Sequence, residues 1–511
     1  MSLWLSSSNV STTAFTCTST QTILVAVIIS LLLRYAWDQV RKGRNLPPGP
    51  VGWPLLANLS VLRRSAHASL AELSQRYGDV TSLYIGRRLV VVLSSYAVIR
   101  EAFVKQGDVF AGRPQLFIDD LSDEHKGIIT TDGRQWKQLR KFALVALRQV
   151  GMGKPKMERL IADEVSGLLG MFRDTGGRAF DPRRAVVTSV ANVVCRMLFG
   201  VRYEHDDADF AALLHDLDAT FELARNASVL NFAPLLRFVP GGAARRDYVA
   251  IDAGVQRLKA FIDAHVGAHE ATYDPGHARD ITDLFLAEMK KADADAEVYN
   301  VEQLKIFLLN LFVGGTMTTF LTIRCSLRFL SEHKSIQKKV QAELEEVIGS
   351  GRLPRFQDRK NLPYTEATIM EVQRFGPVVP LGIVHCNTEH TSLRGYEIPK
   401  HAVVFANIWS LHMSKEFWGD PETFRPERFF DGTGSLMRPD NLLPFSIGRR
   451  VCPGEALAKM ELVLFITSIL QHFTLTLEAE EELPRDAARG KAWNKKPIAP
   501  AAYYITARVR C

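Results

Sequence analysis

The stretch Phe445-Ser446-Ile447-Gly448-Arg449-Arg450-Val451-Cys452-Pro453-Gly454, with Ala458 four residues further on, is a glycine-punctuated loop that carries one cysteine. The residues that follow, Leu457 to Leu470, form an apolar run that reads as a buried helix. A cysteine in this place sits at a helix N-terminus, where backbone N–H groups and the helix dipole favour the thiolate and tune its electron donation. A lone Cys-x-Gly would be no more than a buried cysteine in a turn. Here the whole pattern Phe-x-x-Gly-x-Arg-x-Cys-x-Gly is present.

That pattern resembles the haem-binding loop of the cytochrome P-450 family. The resemblance implies that Cys452 is the axial ligand of a haem b iron, that Arg450 contacts a haem propionate and that Phe445 packs beside the thiolate. A thiolate on haem iron pushes electron density toward bound dioxygen and favours O–O cleavage. It implies a mainly α fold with a small β part, in which the haem lies between a long central helix and the Cys-bearing loop. An N-terminal transmembrane helix precedes that body.

Other segments match the same family. Glu371 and Arg374, spaced i, i+3, share a helix face and can pair. Phe424-Arg425-Pro426-Glu427-Arg428-Phe429 resembles the segment whose arginine completes a buried ion network, which makes Glu371, Arg374 and Arg428 structural. Two carboxylates on a ring need fixed donors. Trp136 and Arg140, one helical turn apart, Arg113 in Ala111-Gly112-Arg113-Pro114, and His385 match the family's propionate-binding set. Leu147-Arg148-Gln149-Val150-Gly151-Met152-Gly153-Lys154 resembles a stretch of the microsomal branch that includes vertebrate drug and steroid oxidases. The resemblance runs from about Leu46 to the C-terminus.

One position departs from it. Over the oxygen site the family carries a small-Gly-x-acid-Thr-Thr pattern, and this chain reads Gly314-Gly315-Thr316-Met317-Thr318-Thr319. The glycines, Gly315 among them, leave room for dioxygen, and Thr318 retains a hydroxyl to donate to it. Met317 stands where the acid belongs, and a thioether neither holds nor passes a proton. Three readings stay open: a monooxygenase in which Thr318 and ordered water suffice; a haem-thiolate isomerase, dehydratase or peroxide-using enzyme; and a haem protein that binds lipophiles without turnover.

The bulk composition suits a folded catalytic body: 511 residues, 47% hydrophobic and 23% charged. The 63 Lys and Arg exceed the 56 Asp and Glu, a mild basic bias that fits an anionic membrane or an acidic protein partner. No nucleic-acid motif accompanies it. The six cysteines, Cys17, Cys195, Cys325, Cys386, Cys452 and Cys511, form no close pair, which excludes a zinc or disulfide framework and fits a reducing compartment.

At the N-terminus, Ile23 to Leu33 (ILVAVIISLLL) is apolar and is followed by Arg34, Tyr35 and Trp37. A luminal tail over 1–14, a transmembrane anchor over 15–37, a basic, Pro-rich linker over 38–54 and a catalytic domain over 55–511 are expected. Arg34, Arg41, Lys42 and Arg44 follow the apolar run that ends at Leu33 and no basic residue precedes it, so the body is expected on the cytoplasmic face of the endoplasmic reticulum. Asn9 then falls in a luminal glycosylation pattern. The implied electron donors are NADPH-cytochrome P-450 reductase and cytochrome b5. A basic helix with Lys137, Arg140 and Lys141 suits an acidic donor.

Val80 to Leu93 reads as a β-hairpin around Gly86, Ser95 to Ile348 as mainly helical, and Val378 to Val384 and Val403 to Ala406 as strand-like. The resemblance places Phe117, Leu121, Leu311, Phe312, Val379, Leu381 and Ile383 around an apolar substrate pocket. A steroid, fatty acid, terpenoid or xenobiotic suits it, and a strand pair near Trp493 to Tyr503 adds its last wall.

Overall fold

In a computed structural model the chain is described over residues 45–52, 58–62, 65–117, 121, 125–226, 228–291, 293, 295–478 and 502–510, with isolated positions between 22 and 30. Helices dominate it: α1 (Ala66–Tyr77), α2 (Gly133–Gln149), α3 (Pro155–Asp174), α4 (Arg183–Phe199), α5 (Ala208–Asn226), α6 (Ala243–Thr272), α7 (Val301–Glu332), α8 (Lys334–Val347), α9 (Pro363–Phe375) and α10 (Glu455–His472). The strands that matter are β1 (Val80–Ile85), β2 (Arg88–Leu93), β3 (His385–Cys386), β4 (Val403–Ala406), β5 (Phe473–Leu477) and β6 (Ile505–Val509).

The central element is α7. Asn300 caps it by accepting from the Gln303 N–H, and the apolar sequence after the cap is buried on nearly all sides. Such all-round hydrophobicity marks a helix in the middle of a core. It packs against α4, α6, α9 and α10. Among the described residues it is also the one helix long and apolar enough to cross a membrane, but 78% of its most apolar window lies inside the body.

The hairpin is present. Ile85 pairs with Arg88 across a two-residue turn whose first residue, Gly86, has φ +57°, the conformation in which glycine at that place matches the twist of the strands. β2 then runs parallel to β4, with Val90 opposite Val403, and β3 closes the sheet antiparallel to β4. β5 and β6 form a separate antiparallel pair beside α10.

One strand expectation fails. Val378 to Val384 is a chain of bends, and the strand begins only at His385. Pro377 and Pro380 offer no N–H to a ladder, and Gly382 takes φ +63°. The β-branched residues of that run are partly buried to exposed and take no part in pairing.

The expected luminal tail over 1–14 and residues 38–44 of the linker lie outside the described residues. Of the anchor, only positions 22–23, 25–26 and 29–30 are described. They are helical, and Ile23, Val25 and Ile29 are exposed. Trp493 also lies outside the described residues; the described strand in that region is β6.

Candidate active site

The cysteine loop is held in a conformation that few sequences tolerate. Gly448 has φ +81°, and a Cβ there would run into the carbonyl of Phe103. Only glycine satisfies both constraints, which explains the fixed glycine of the motif. Ser446 adopts φ +62° without being glycine, so the loop carries local strain of the kind kept at functional sites. The Cys452 N–H closes the loop on the carbonyl of Phe445 at 3.0 Å.

Cys452 precedes α10 by three residues, and the amides of Gly454 and Glu455 reach its sulfur. These bonds and Arg140 draw the thiol toward the thiolate, as expected of a helix N-terminus. Burial nevertheless outweighs them, and Glu455 adds to it, so the thiol is held above its ordinary value. A buried thiol of this kind becomes a thiolate when a metal takes the place of its proton.

Beside the loop three guanidinium groups converge. Arg450, 8% exposed, donates from Nε to the carbonyl of Ala111 at 2.9 Å and from Nη2 to that of Thr131 at 2.6 Å. Its guanidinium lies over the ring of Trp136 at 3.9 Å, and that of Arg140 lies 5.8 Å from the same ring. Arg140 donates to the carbonyl of Val451 at 2.6 Å, which ties α2 to the residue before the cysteine. Arg113 holds the carbonyls of Ile129 at 2.9 Å and Val384 at 2.5 Å. The sequence thus brings Arg113, Trp136, Arg140 and Arg450 together from three distant segments.

His385 completes the group from β3. Its Nδ1 donates to the carbonyl of Phe110 at 2.7 Å, and its ring stacks on Phe103 at 4.0 Å. Burial, then Arg113 and Arg450, keep the ring neutral, well below its ordinary pKa. In that state Nε2 carries a lone pair, so the ring donates to an anion only when the anion draws a second proton onto it.

This cluster fits an anionic ring substituent. Burial and the Arg113 charge push Arg450 down to about 8. Arginine keeps its proton in proteins, so such pressure measures the need for a counter-anion. Neither Arg140 nor Arg450 forms an ion pair among the described residues, and Arg450 Nη1 is buried without a hydrogen-bond partner. A carboxylate placed there would satisfy it.

On α7, Thr318 donates to the carbonyl of Gly314 at 2.7 Å. Gly314 is the open position: a Cβ there would meet nothing within 4 Å. Gly315, expected to make room for dioxygen, instead faces α4, where a Cβ would meet Val194 at 3.1 Å. The two glycines lie 100° apart on the helix, so one side of α7 opens and the other packs. Met317 is fully buried in the core.

The expected pocket residues divide. Phe117 and Leu121 border a cluster built on Leu230, Ile251 and Val255. Leu311, Val379 and Leu381 are partly buried, whereas Ile383 is 48% exposed. Phe312 points into the packing, fully buried with its ring 5.3 Å from that of Phe261. Residues not singled out in the sequence also shape this side. Asn310 Oδ1 accepts from the N–H groups of Ile128 and Ile129 at 2.9 and 3.1 Å, and Gln303 Oε1 accepts from Gly127 at 2.9 Å. A polar amide inside an apolar helix was the available signal.

The ion network lies behind the loop. Arg374 makes a two-pronged pair with Glu371 at 2.7 and 2.8 Å, Arg428 joins at 3.1 Å, and the Arg425 N–H adds a fourth bond at 2.8 Å. The side chains of Glu371 and Arg374 are fully buried and that of Arg428 is 3% exposed. Carbonyls of His412 and Trp418 take further guanidinium donors.

The cytochrome P450 family profile matches residues 47–500. The chain belongs to the cytochrome P450 family. It is 36% identical to cytochrome P450 2G1 of Oryctolagus cuniculus over 89% of this chain and 92% of that protein. Cytochrome P450 2U1 of Homo sapiens is 34% identical over 89% of this chain and 88% of its own, and cytochrome P450 2B4 of Oryctolagus cuniculus 35% identical over 92% and 96%. As a member of that family the protein is a monooxygenase, an oxidoreductase that uses haem iron, a redox partner, dioxygen and an organic substrate.

Proposed function

We propose that the protein inserts one oxygen atom from dioxygen into a lipophilic substrate, with haem b ligated by Cys452 and electrons delivered by NADPH-cytochrome P-450 reductase. The observation that carries this reading is the orphaned, buried Nη1 of Arg450 beside a second guanidinium that is tied to Val451. Arg113, Arg140, Arg450 and His385 hold the propionates, and Trp136 fixes the planes of two of the guanidiniums. Phe445 shields the sulfur from water. When bound, the haem supplies dioxygen reduction and oxygen-atom transfer.

Thr318 acts on the substrate side. Its hydroxyl now satisfies Gly314 and turns to donate to dioxygen when that arrives. Phe117, Leu121, Leu311, Val379, Leu381 and Ile383 line an apolar pocket, which a steroid, fatty acid, terpenoid or xenobiotic fits. Phe312 supports that wall from behind.

Lys137 and Lys141 project from α2 into solvent, while Arg140 turns inward. The two lysines form the docking face for the acidic reductase and for cytochrome b5. Residues 15–37 anchor the protein in the endoplasmic reticulum membrane, with 1–14 in the lumen, the linker 38–54 next and the catalytic domain 55–511 in the cytoplasm. The exposed Ile23, Val25 and Ile29 suit lipid contact.

Turnover with reductase and NADPH, set against turnover with a hydroperoxide, tests the reading. Product with NADPH is expected, and product from the hydroperoxide alone would sink it. A carboxylic acid at the Met317 position would restore a proton donor to the turn that bears Thr318. Met317→Glu is therefore expected to raise product formed per NADPH consumed, and unchanged coupling would show that protons arrive elsewhere.

A further inference from the structure

The last turn of α6 carries His269, a histidine 5% exposed that takes no part in the haem site. Its Nδ1 faces the carbonyl of His265, one turn back, at 2.7 Å. Its Nε2 faces Asp280 Oδ2 at 2.8 Å, where the short helix Ile281–Met289 begins. Both partners are acceptors: a carbonyl never donates, and the other oxygen of Asp280 caps the short helix by accepting from the Asp283 N–H at 3.1 Å. A neutral imidazole has a single N–H. Either tautomer would therefore set a nitrogen lone pair against an oxygen at hydrogen-bond distance. The imidazolium, with a proton on each nitrogen, satisfies both contacts.

Three helix ends meet here. A Cβ on Gly200, which ends α4, would meet Asp280 Oδ2 at 3.1 Å, and Thr282 donates to the carbonyl of Leu198 at 2.7 Å. A cation in the last turn of α6 and a carboxylate at the start of the next helix both suit the helix dipoles. His269, Asp280 and Asp283 bring three ligand atoms within 4.8 Å of one another, but Arg279 already takes both oxygens of Asp283, at 2.6 and 2.9 Å. The cation that His269 and Asp280 share is thus a proton rather than a metal.

Burial lowers the His269 pKa, but the bond to Asp280, its charge and the His265 carbonyl outweigh burial and the opposing charge of Arg279, so the ring is held above its ordinary 6.5. His265 stacks on Phe199 at 4.3 Å and bonds the Tyr203 hydroxyl at 2.7 Å. Burial and the His269 charge push it down to about 4, so it stays neutral. The other charged groups on the packed helices have partners of their own: Asp216 of α5 with Arg257, Lys305 of α7 with Asp263, Arg196 of α4 with Asp163, and Glu288 of the short helix with Lys291.

We propose that His269 is a proton-operated latch, whose imidazolium fastens the end of α6 to the capped start of helix Ile281–Met289 and whose loss of a proton in alkaline solution releases that end. A group held above its ordinary value contributes stability that is complete below pH 6.5 and is lost as pH rises through the pKa of the closed form. Between those limits each pH unit changes the opening equilibrium about tenfold. The same unbroken helix carries Val255 and Ile251, roughly 21 and 27 Å further back, and these build the cluster that Phe117 and Leu121 border. Alkaline release therefore loosens the helix that carries this wall.

Hydrogen exchange of the haem-loaded full chain, corrected for the intrinsic pH dependence of amide exchange, tests the latch. Opening of residues 262–272 and 281–289 is expected to rise about tenfold for each pH unit above 6.5 and then to level off. In His269→Gln the amide still donates to Asp280 but holds no titrating proton. That variant should show, already in mildly acidic solution, the opening that the wild type reaches only in alkali, with no further dependence on pH. Asp280→Asn provides the second variant: the cap oxygen remains, the counter-charge is gone, and the pH dependence should vanish. Nitrogen NMR of histidine-labelled wild type should contain an imidazolium signal that persists above pH 6.5 and is missing from His269→Gln. Wild-type opening that does not change with pH, a neutral His269 ring at pH 6.5, or an unaltered pH dependence in both variants overturns the proposal.

Discussion

Cys452→Ala is expected to abolish NADPH-driven product formation and to erase the red-shifted Soret band of the reduced, CO-bound protein. The variant removes the sulfur from a loop whose shape is set elsewhere: Gly448 is wedged against Phe103, and Arg140 grips Val451. The methyl group of alanine needs less room than the thiol, so the fold is expected to survive. The arginine and tryptophan cluster is untouched, and the variant should still take up haem, though more weakly. What it loses is the anionic sulfur donor, on which the red shift and the push toward O–O cleavage depend. The measurement is the CO difference spectrum of the reduced variant beside that of the wild type. Persistence of the red-shifted band would remove Cys452 as the ligand.

Arg374→Ala is expected to produce the largest loss of stability of any single change considered. Arg374 and Glu371 are fully buried, and Glu371 also serves Arg428 and the Arg425 amide. Removing the arginine strands a buried carboxylate that Arg428 alone must balance, and two carbonyls, of His412 and Thr423, lose a donor. Breaking a buried pair in this way costs about 3 to 5 kcal/mol, a large part of the roughly 5 to 15 kcal/mol that keeps a domain folded. Thermal melting and the yield of haem-loaded protein are the readouts. The exposed pair Lys415–Glu422, 75% and 65% exposed, provides the control: Lys415→Ala should change melting little. Arg374→Ala with wild-type melting and haem content would show that the network carries no such weight.

Much of the site was legible in the sequence because its residues are constrained by backbone chemistry. The glycine at 448, the i, i+3 pair Glu371 and Arg374, the helical-turn pair Trp136 and Arg140, and the glycine-first hairpin at Gly86 each leave a local spacing that can be read without the fold. What escaped depends on direction rather than spacing. Gly314 and Gly315 are neighbours in sequence, but only the packing of α7 on α4 decides which one opens. Arg140 reads as part of a basic face with Lys137 and Lys141 until the loop carbonyl of Val451 turns it inward. Val378 to Val384 reads as a strand from its side chains, and the prolines decide otherwise through their missing N–H groups.

Glu461 illustrates the limit most clearly. An acid in an apolar helical run announces a buried or functional group, but α7 and α10 are separated by more than a hundred residues, and only the fold sets the acid beside Thr319.

The most direct test of the account is one turnover experiment with isotopically heavy dioxygen, reductase and NADPH, on a substrate chosen by its spectral binding to the holoprotein. One heavy oxygen atom per product molecule, with the second recovered in water, is the predicted result. Product free of the label, or rearranged without gaining oxygen, would contradict the assignment of this cytochrome P450 as a monooxygenase.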